Sequence, residues 1–332
     1  MLKRALRRSV DQVRHVTPVR AAAARGLVGT VYRQVERDFG MLAPPMALHS
    51  PAPTVLAASW LMLREALVAD GVSDRVTRET VAEAVSRVNA CPYCVAVHGA
   101  TARALRQRPD ERLVAWAEGL APRPFPGDRL PELAGVAVTF HYLNRMVSVF
   151  LPDSPLPAAA PAAGMSVLGR IMGGWARRRH APGQSLDLLP EAELPMDLLW
   201  AKGSPSIAGA FARAAAAFEA AGERSVPADV RALLLAELVG HDGTPSGLSR
   251  AWLTPLVAEL AAADQAAGRL ALLTAFASYR ITEQQVRDFR LIQPGDSTLL
   301  ALISWAAMAA AQQIVSWIPA PAVESSDHRG NA

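Results

Sequence analysis

The chain has 332 residues, 51% of them hydrophobic, so it is long enough for about two domains with a sizeable core and is not a disordered or fibrous protein. Its net charge of +4 and pI near 9.5 come from arginines spread along the chain, with lysine only at Lys3 and Lys202, a distribution that argues against nucleic-acid binding. Its two cysteines, Cys91 and Cys94, form one tight pair, which excludes a secreted-type disulfide framework and favours a cytoplasmic redox pair or a metal half-site.

Met1 to Arg20 carries Lys3, Arg4, Arg7, Arg8 and Arg14 without a continuous apolar run, so it reads as a short basic helix and not as a secretory signal. Gly26 to Phe39 is predicted helical and is ended by Gly40, Pro44 and Pro45, with a loop through His49, Ser50 and Pro51. The next helix, Thr54 to Ala69, spaces Leu56, Trp60, Leu63 and Leu67 at helical intervals and stops at Gly71. Thr77 to Val88 follows, with Val81, Ala84, Val85 and Val88 on its apolar stripe and a break at Asn89-Ala90. Periodicity alone puts Glu79, Glu83 and Arg87 on the opposite, solvated face.

The stretch Cys91-Pro92-Tyr93-Cys94-Val95-Ala96-Val97-His98 organises the rest. In a helix the spacing i, i+3, i+7 puts Cys91, Cys94 and His98 on one face. Pro92 suits the first helical position, which makes Cys91 the cap and turns the positive helix end toward the sulfurs. Further on come a short helix over Glu111 to Leu120, prolines at 122, 124 and 126, and a long helix over Pro131 to Leu151. A proline- and alanine-rich linker with a helix over Met165 to His180 leads to a second half. There, Ser204-Pro205 parallels Ser50-Pro51 and Val226 to Asp229 parallels Val76 to Glu79, at an offset of 150. The same offset sets His241, Thr244 and Leu248 against Cys91, Cys94 and His98, so the copy lacks the reactive groups. Helices over Leu270 to Arg290 and Thr298 to Ile318 complete the chain; the apolar run of the latter is broken by Gln312, Gln313 and Ser316, so no membrane span is expected.

Taken alone, the Cys-x-x-Cys pair is a redox dithiol, half of a zinc site completed by His98 with His49 or His141, or two buried inert thiols. Structural zinc normally needs four ligands, and the chain has no second cysteine pair. His98, four residues after Cys94, is placed to take its proton and favours the redox reading. Capping, by contrast, nominates Cys91 as the more acidic thiol.

Glu79, then Cys91 twelve positions on, then Cys94 and His98, resemble the Glu-x11-Cys-x-x-Cys-x-x-x-His signature of the alkylhydroperoxidase AhpD-like family within the carboxymuconolactone decarboxylase superfamily. The words Ala84-Val85-Ser86-Arg87-Val88-Asn89 and Phe140-His141-Tyr142-Leu143-Asn144-Arg145 are similar as well, so the resemblance covers roughly Leu42 to Leu151 and is faint beyond it. It implies an all-α, AhpD-like helical bundle and, because decarboxylase members lack the cysteine pair, the peroxidase branch. Carried onto this chain, it implies Cys94 as the peroxidatic thiolate, Cys91 as the resolving thiol, His98 as the base and Glu79 as its orienting or relaying partner. Tyr93 stands where well-known members carry histidine; it is read either as a donor to bound peroxide or as an aromatic filling the pocket rim.

These readings combine into two tandem repeats: a basic helical extension at residues 1–40, a catalytic repeat at 41–151, a linker with a short helix at 152–200, a degenerate non-catalytic repeat at 201–318 and a disordered tail at 319–332. The expected activity is thiol-dependent peroxide reduction needing no metal or cofactor. The expected partners are a peroxide, an external dithiol or lipoyl-type reductant and, as in superfamily members whose subunits associate, a second copy of the chain. The rival readings are a dithiol-disulfide oxidoreductase acting on proteins or lipoyl groups, and a non-catalytic redox sensor or scaffold.

Overall fold

A computed structural model of the chain describes residues 9–105, 110–156, 163–241 and 249–317. Among these the fold is all-α, as the sequence predicts, with no strand. The first half runs α1 (Gly26–Asp38), α2 (Pro44–Ala47), α3 (Pro53–Leu63), a π-helical turn (Arg64–Val68), α4 (Arg75–Val88), α5 (Pro92–Leu105), α6 (Glu111–Ala117) and α7 (Leu130–Phe150). After α8 (Gly164–Ala176) come α9 (Pro205–Ser225), α10 (Ala228–Gly240), α11 (Leu253–Ala258), α12 (Gln265–Ala277), α13 (Glu283–Ile292) and α14 (Asp296–Trp317).

Two helices form the centre of the first half because they have no polar face to give to water. In α3 every residue from Val55 to Leu63 is buried, and in α7 the run from Pro131 to Asn144 is buried throughout. These two meet the second half directly: α3 packs on α9 and α7 on α14, while α9 packs on α14. The close approach of the last pair depends on Gly222, where a β-carbon would lie 2.3 Å from the Trp305 ring. The π-helical turn extending α3 carries Arg64, whose guanidinium is buried between Asp38 at 2.8 Å and Glu65 at 2.5 Å and also donates to Ala181 O at 3.0 Å. A buried charge is tolerated when it is paired and hydrogen-bonded on this scale.

Three expectations need correction. Within Met1 to Arg20, of which residues 1–8 lie outside the described residues, only Ser9–Gln12 is helical, as a 3-10 turn. The chain then runs as a strap whose backbone bonds go elsewhere: Arg14 N–H to Phe150 O at 2.8 Å, Thr17 N–H to Asp296 Oδ2 at 2.7 Å and Val19 N–H to Ser50 Oγ at 2.8 Å. Those bonds tie both halves together, and they replace the local helix. Second, Pro44 and Pro45 open α2 inside the predicted loop, since proline is tolerated in a first helical turn. Third, the single helix expected over Leu270 to Arg290 is two: Ala277 leaves helical geometry at φ −157° and ψ 52°, and Thr282 restarts α13 with a reciprocal capping box to Gln285. The residues expected to form a tail, 319–332, lie outside the described residues, as do Thr244 and Leu248.

Candidate active site

The site is built at the α4–α5 junction. Ala90 takes the left-handed region, φ 48°, which is uncommon without a glycine, and this turn brings Cys91 N–H back to Ser86 O at 3.0 Å. Pro92 then begins α5, and Val95 N–H bonds Cys91 O at 3.1 Å, so Cys91 caps the helix as its sequence predicts. Cys91 and Cys94 are both free thiols and both buried.

Glu79 does not lie on a solvated face. It is 1% exposed, because α4 turns this side of itself toward α5. Its Oε2 is 2.6 Å from His98 Nδ1, and its Oε1 accepts from Arg75 Nε at 2.8 Å. Burial pushes the Glu79 carboxyl up, but the charges of Arg75 and His98 and their hydrogen bonds outweigh it, and the group falls to about 2. Glu79 is therefore a fixed carboxylate at neutral pH, not a proton carrier. It occupies Nδ1 of His98 and leaves Nε2 as the ring's free acid–base atom. The His98 ring is held edge-on to Phe140, centroids 4.4 Å apart. Glu83 and Arg87 do form the expected surface pair, at 3.1 Å, with Glu118 joining at the same distance.

The two sulfurs are unlike. The Cys91 thiol is held below the ordinary cysteine range: hydrogen bonding from the Cys94 thiol outweighs burial, and the Cys94 backbone N–H, Ser148 and Asn144 add to it. Cys94 is pushed up by the same bond, by burial and by the charge on Cys91. Access runs the other way. A pocket of about 840 Å³, counting its open mouth, is lined by Cys94, His98 and Tyr93 but not by Cys91. Its other walls are apolar, from Phe39, Met41, Met46, Leu63, Phe140, Leu143 and Val147.

Leu168 and Met172 of α8 close one side of this pocket. The helix predicted within the linker thus lies directly on the cysteine helix. Glycines allow the contact: a β-carbon at Gly169 would sit 2.6 Å from Ala100 O, and one at Gly173 would sit 2.8 Å from Ala104 Cβ. Sequence reasoning passed over these residues, although Gly169 and Gly173 at i, i+4 are a signal of close helix packing. It also passed over Arg75, four residues before Glu79 on the same helix face, and Asn144 and Ser148 beside the sulfurs. His49 and His141, considered as extra metal ligands, are engaged elsewhere. His49 Nε2 bonds Tyr142 OH at 2.9 Å, and His141 Nδ1 lies against the Asn89 amide at 3.0–3.2 Å. Among the described residues no group of three His, Cys, Asp or Glu side chains is placed to hold a metal ion.

The carboxymuconolactone decarboxylase family matches residues 55–120, the stretch from α3 through the cysteine helix to the end of α6. Over nearly its whole length the chain is similar to the alkyl hydroperoxide reductase Rv2159c of Mycobacterium tuberculosis (strain ATCC 25618 / H37Rv), at 34% identity over 333 residues, covering 93% of this chain and 96% of the other. The chain belongs to the AhpD-like branch of the carboxymuconolactone decarboxylase superfamily. No solved structure matches it. Relative to its family match, the chain has the strap, α1 and α2 before α3, and α7 to α14 after α6. Three of those outlying helices reach the pocket, with α2 supplying Met46, α7 supplying Phe140 and α8 supplying Met172. No described helix is long and apolar enough to cross a membrane.

Proposed function

We propose that the chain is a thiol-dependent hydroperoxide reductase with Cys94 as the attacking sulfur. The observation that carries this reading is the pairing, on one wall of an apolar pocket, of Cys94 with a histidine whose far nitrogen is held by a buried carboxylate. A thiolate is the nucleophile toward peroxide, and a carboxylate-oriented imidazole is a recurrent base for making one. The similarity to a protein named alkyl hydroperoxide reductase, together with the apolar walls, supports an organic hydroperoxide as substrate.

The proton of Cys94 moves to Cys91 or His98, leaving a thiolate facing the pocket. This thiolate attacks the terminal peroxide oxygen, the O–O bond breaks, and the leaving alkoxide takes a proton through His98 to become an alcohol. Cys94 is now a sulfenic acid. Cys91 attacks the Cys94 sulfur, hydroxide leaves and is protonated to water, and a Cys91–Cys94 disulfide remains. An external dithiol, of lipoyl or similar type, reduces the disulfide in two exchange steps. Tyr93, buried and raised in pKa by burial and by the neighbouring sulfur charge, keeps its proton and is available as a donor to bound peroxide.

In this reading the second half is a degenerate repeat without reactive groups, whose α9 and α14 cover the faces of α3 and α7 that a neighbouring subunit would otherwise bury. Consumption of tert-butyl hydroperoxide with a dithiol reductant tests the proposal. Cys94→Ser is expected to remove at least ~10³-fold of the rate and His98→Ala about 10²- to 10⁴-fold. Slow consumption equal in wild type and both variants would overturn it.

A further inference from the structure

Thioethers line the pocket beside the thiol. Met41 stands between α1 and α2, Met46 in α2 and Met172 in α8, so three separate elements each bring a methionine to the space that Cys94 and His98 share. Three of the eighteen lining residues are methionine, against nine in the 332 of the whole chain, so the residue is concentrated at this site. Methionine is an adaptable filler of irregular apolar walls, and that alone accounts for one such residue. Three of them, on three elements around one reactive thiol, surround a bound peroxide with oxidisable sulfur. Among the described residues no Asp, Glu, Lys or Arg side chain lines the pocket, so it favours an apolar hydroperoxide over hydrogen peroxide.

A thioether meets the same electrophile as a thiolate. Its lone pair attacks the terminal peroxide oxygen, the O–O bond breaks, and the hydroxyl proton passes to the departing alkoxide. One hydroperoxide and one methionine thus give one alcohol and one sulfoxide, the sulfur losing two electrons and the peroxide gaining them. Burial ordinarily shields methionine from this reaction: Met46 is 1% exposed and Met172 5%, whereas Met196 in the second half is 80% exposed. A pocket that collects apolar hydroperoxide reverses that order, because it raises the local peroxide concentration at the buried sulfurs and not at Met196. Met172 carries the largest consequence. It stands between Gly169 and Gly173, the positions at which a β-carbon would strike α5, and a sulfoxide there places a larger, polar group on an apolar wall.

We propose that Met41, Met46 and Met172 form an oxidation site, where excess organic hydroperoxide turns the pocket wall to sulfoxide once the dithiol is spent and makes it a poorer site for apolar peroxide. The effect on turnover rests on the peroxidase reading above; the order in which the methionines oxidise rests on the apolar pocket alone.

Peptide mapping by mass spectrometry reads that order on the full-length protein, titrated without reductant by cumene hydroperoxide and, in parallel, by hydrogen peroxide. With cumene hydroperoxide the pocket methionines are expected to reach half-oxidation at about fivefold less peroxide than Met196. With hydrogen peroxide Met196 is expected first. Met62 and Met146, fully buried but outside the pocket lining, should stay reduced with both. A dithiol then restores Cys91 and Cys94 but leaves sulfoxides in place, and the treated wild type should show a KM for cumene hydroperoxide raised about tenfold over its untreated value. Met172→Leu, which keeps the apolar volume without an oxidisable sulfur, should show a smaller rise over its own untreated value. Met196 oxidised first by both peroxides, Met62 and Met146 oxidised as early as the pocket methionines, or an equal rise in KM in Met172→Leu would each overturn the proposal. The mapping reads equally in Cys94→Ser, where peroxidase chemistry plays no part. Pocket methionines oxidised first in a protein that never turns over peroxide would instead overturn the functional reading and leave the oxidation site standing.

Discussion

Helices α7 and α14, 21 and 22 residues long, pack on one another across the boundary between the halves. Along α7 the buried surface carries Glu132, Thr139, His141, Tyr142 and Asn144, and the last is bonded to Asn89 and Ser86 at the end of α4, next to the cysteine helix. Along the described part of α14 the corresponding surface is alanine, leucine, isoleucine, methionine and Trp305, with Ser304 bonding back to Leu300 O of its own helix at 2.5 Å and the Trp305 indole N–H donating to Glu219 at 3.0 Å. Packing alone is satisfied by α14. The polar side chains of α7 carry a desolvation penalty that packing does not require, and their bonds fix Ser86 and Asn89 at the α4–α5 junction, Ser59 and His49 beside it, and the turn before α4.

Carboxylate substitutions should separate the two halves most. Glu79→Ala leaves the buried His98 and the half-buried Arg75 without their anion and is expected to destabilise the protein by about 3–5 kcal/mol and to cost most of the peroxide activity. Glu219→Ala in the second half, a partly exposed group bonded to Arg231 and Trp305, should cost no more than about 1 kcal/mol and leave activity intact. Chemical denaturation and peroxide turnover on both variants check the pair.

Aromatic truncation sharpens the same contrast. Phe140→Ala and Phe218→Ala each remove a fully buried ring and should each cost about 3–5 kcal/mol. Only Phe140→Ala releases the His98 ring, so only it should lower turnover beyond its loss of folded protein. Equal specific activity of the two folded variants would show that the His98 contact is packing alone.

Acid lability should belong to the first half. Burial lowers His49 to about 3 and holds His141 well below its usual range, so the unfolded chain binds protons that the folded chain refuses. Stability is then full above about pH 6.5 and falls steadily as pH drops toward 3. Glu79, lowered to about 2, adds a further loss below about pH 4.5 as the unfolded carboxyl protonates first. His49→Gln, which keeps a bond to Tyr142 without titrating, is expected to flatten the fall in melting temperature between pH 6.5 and 4.

The smallest effects are expected at glycines. Gly173→Ala places a β-carbon 2.8 Å from Ala104 Cβ and should cost about 1–3 kcal/mol while weakening KM for organic hydroperoxides through a displaced α8. Gly240→Ala, at the end of α10 with open space around it, should stabilise by about 0.4–1 kcal/mol with no change in KM.

Much of this was legible in the sequence. Pro92 after Cys91 marks the start of α5, Asn89-Ala90 marks the break before it, and the i, i+3, i+7 spacing puts Cys91, Cys94 and His98 together. The misreadings share a cause. The strap over residues 13–20 and the break at Ala277 depend on backbone partners far away in sequence, and periodicity registers only neighbours three or four residues apart. Glu79 looked solvated for the same reason, since its own helix shows a polar face whether or not another helix covers it.

By itself, the sequence determined that the chain is helical, that its reactive residues occur once, and that the dithiol and its histidine share a helix face; these follow from local spacing and from turn residues. Only the tertiary structure decided that Glu79 is buried against His98, that α8 closes the pocket, and that Cys94 opens to it while Cys91 does not. Those outcomes depend on which faces of separate helices meet, and the energy that selects them comes from burying α3 and α7 against the rest of the chain.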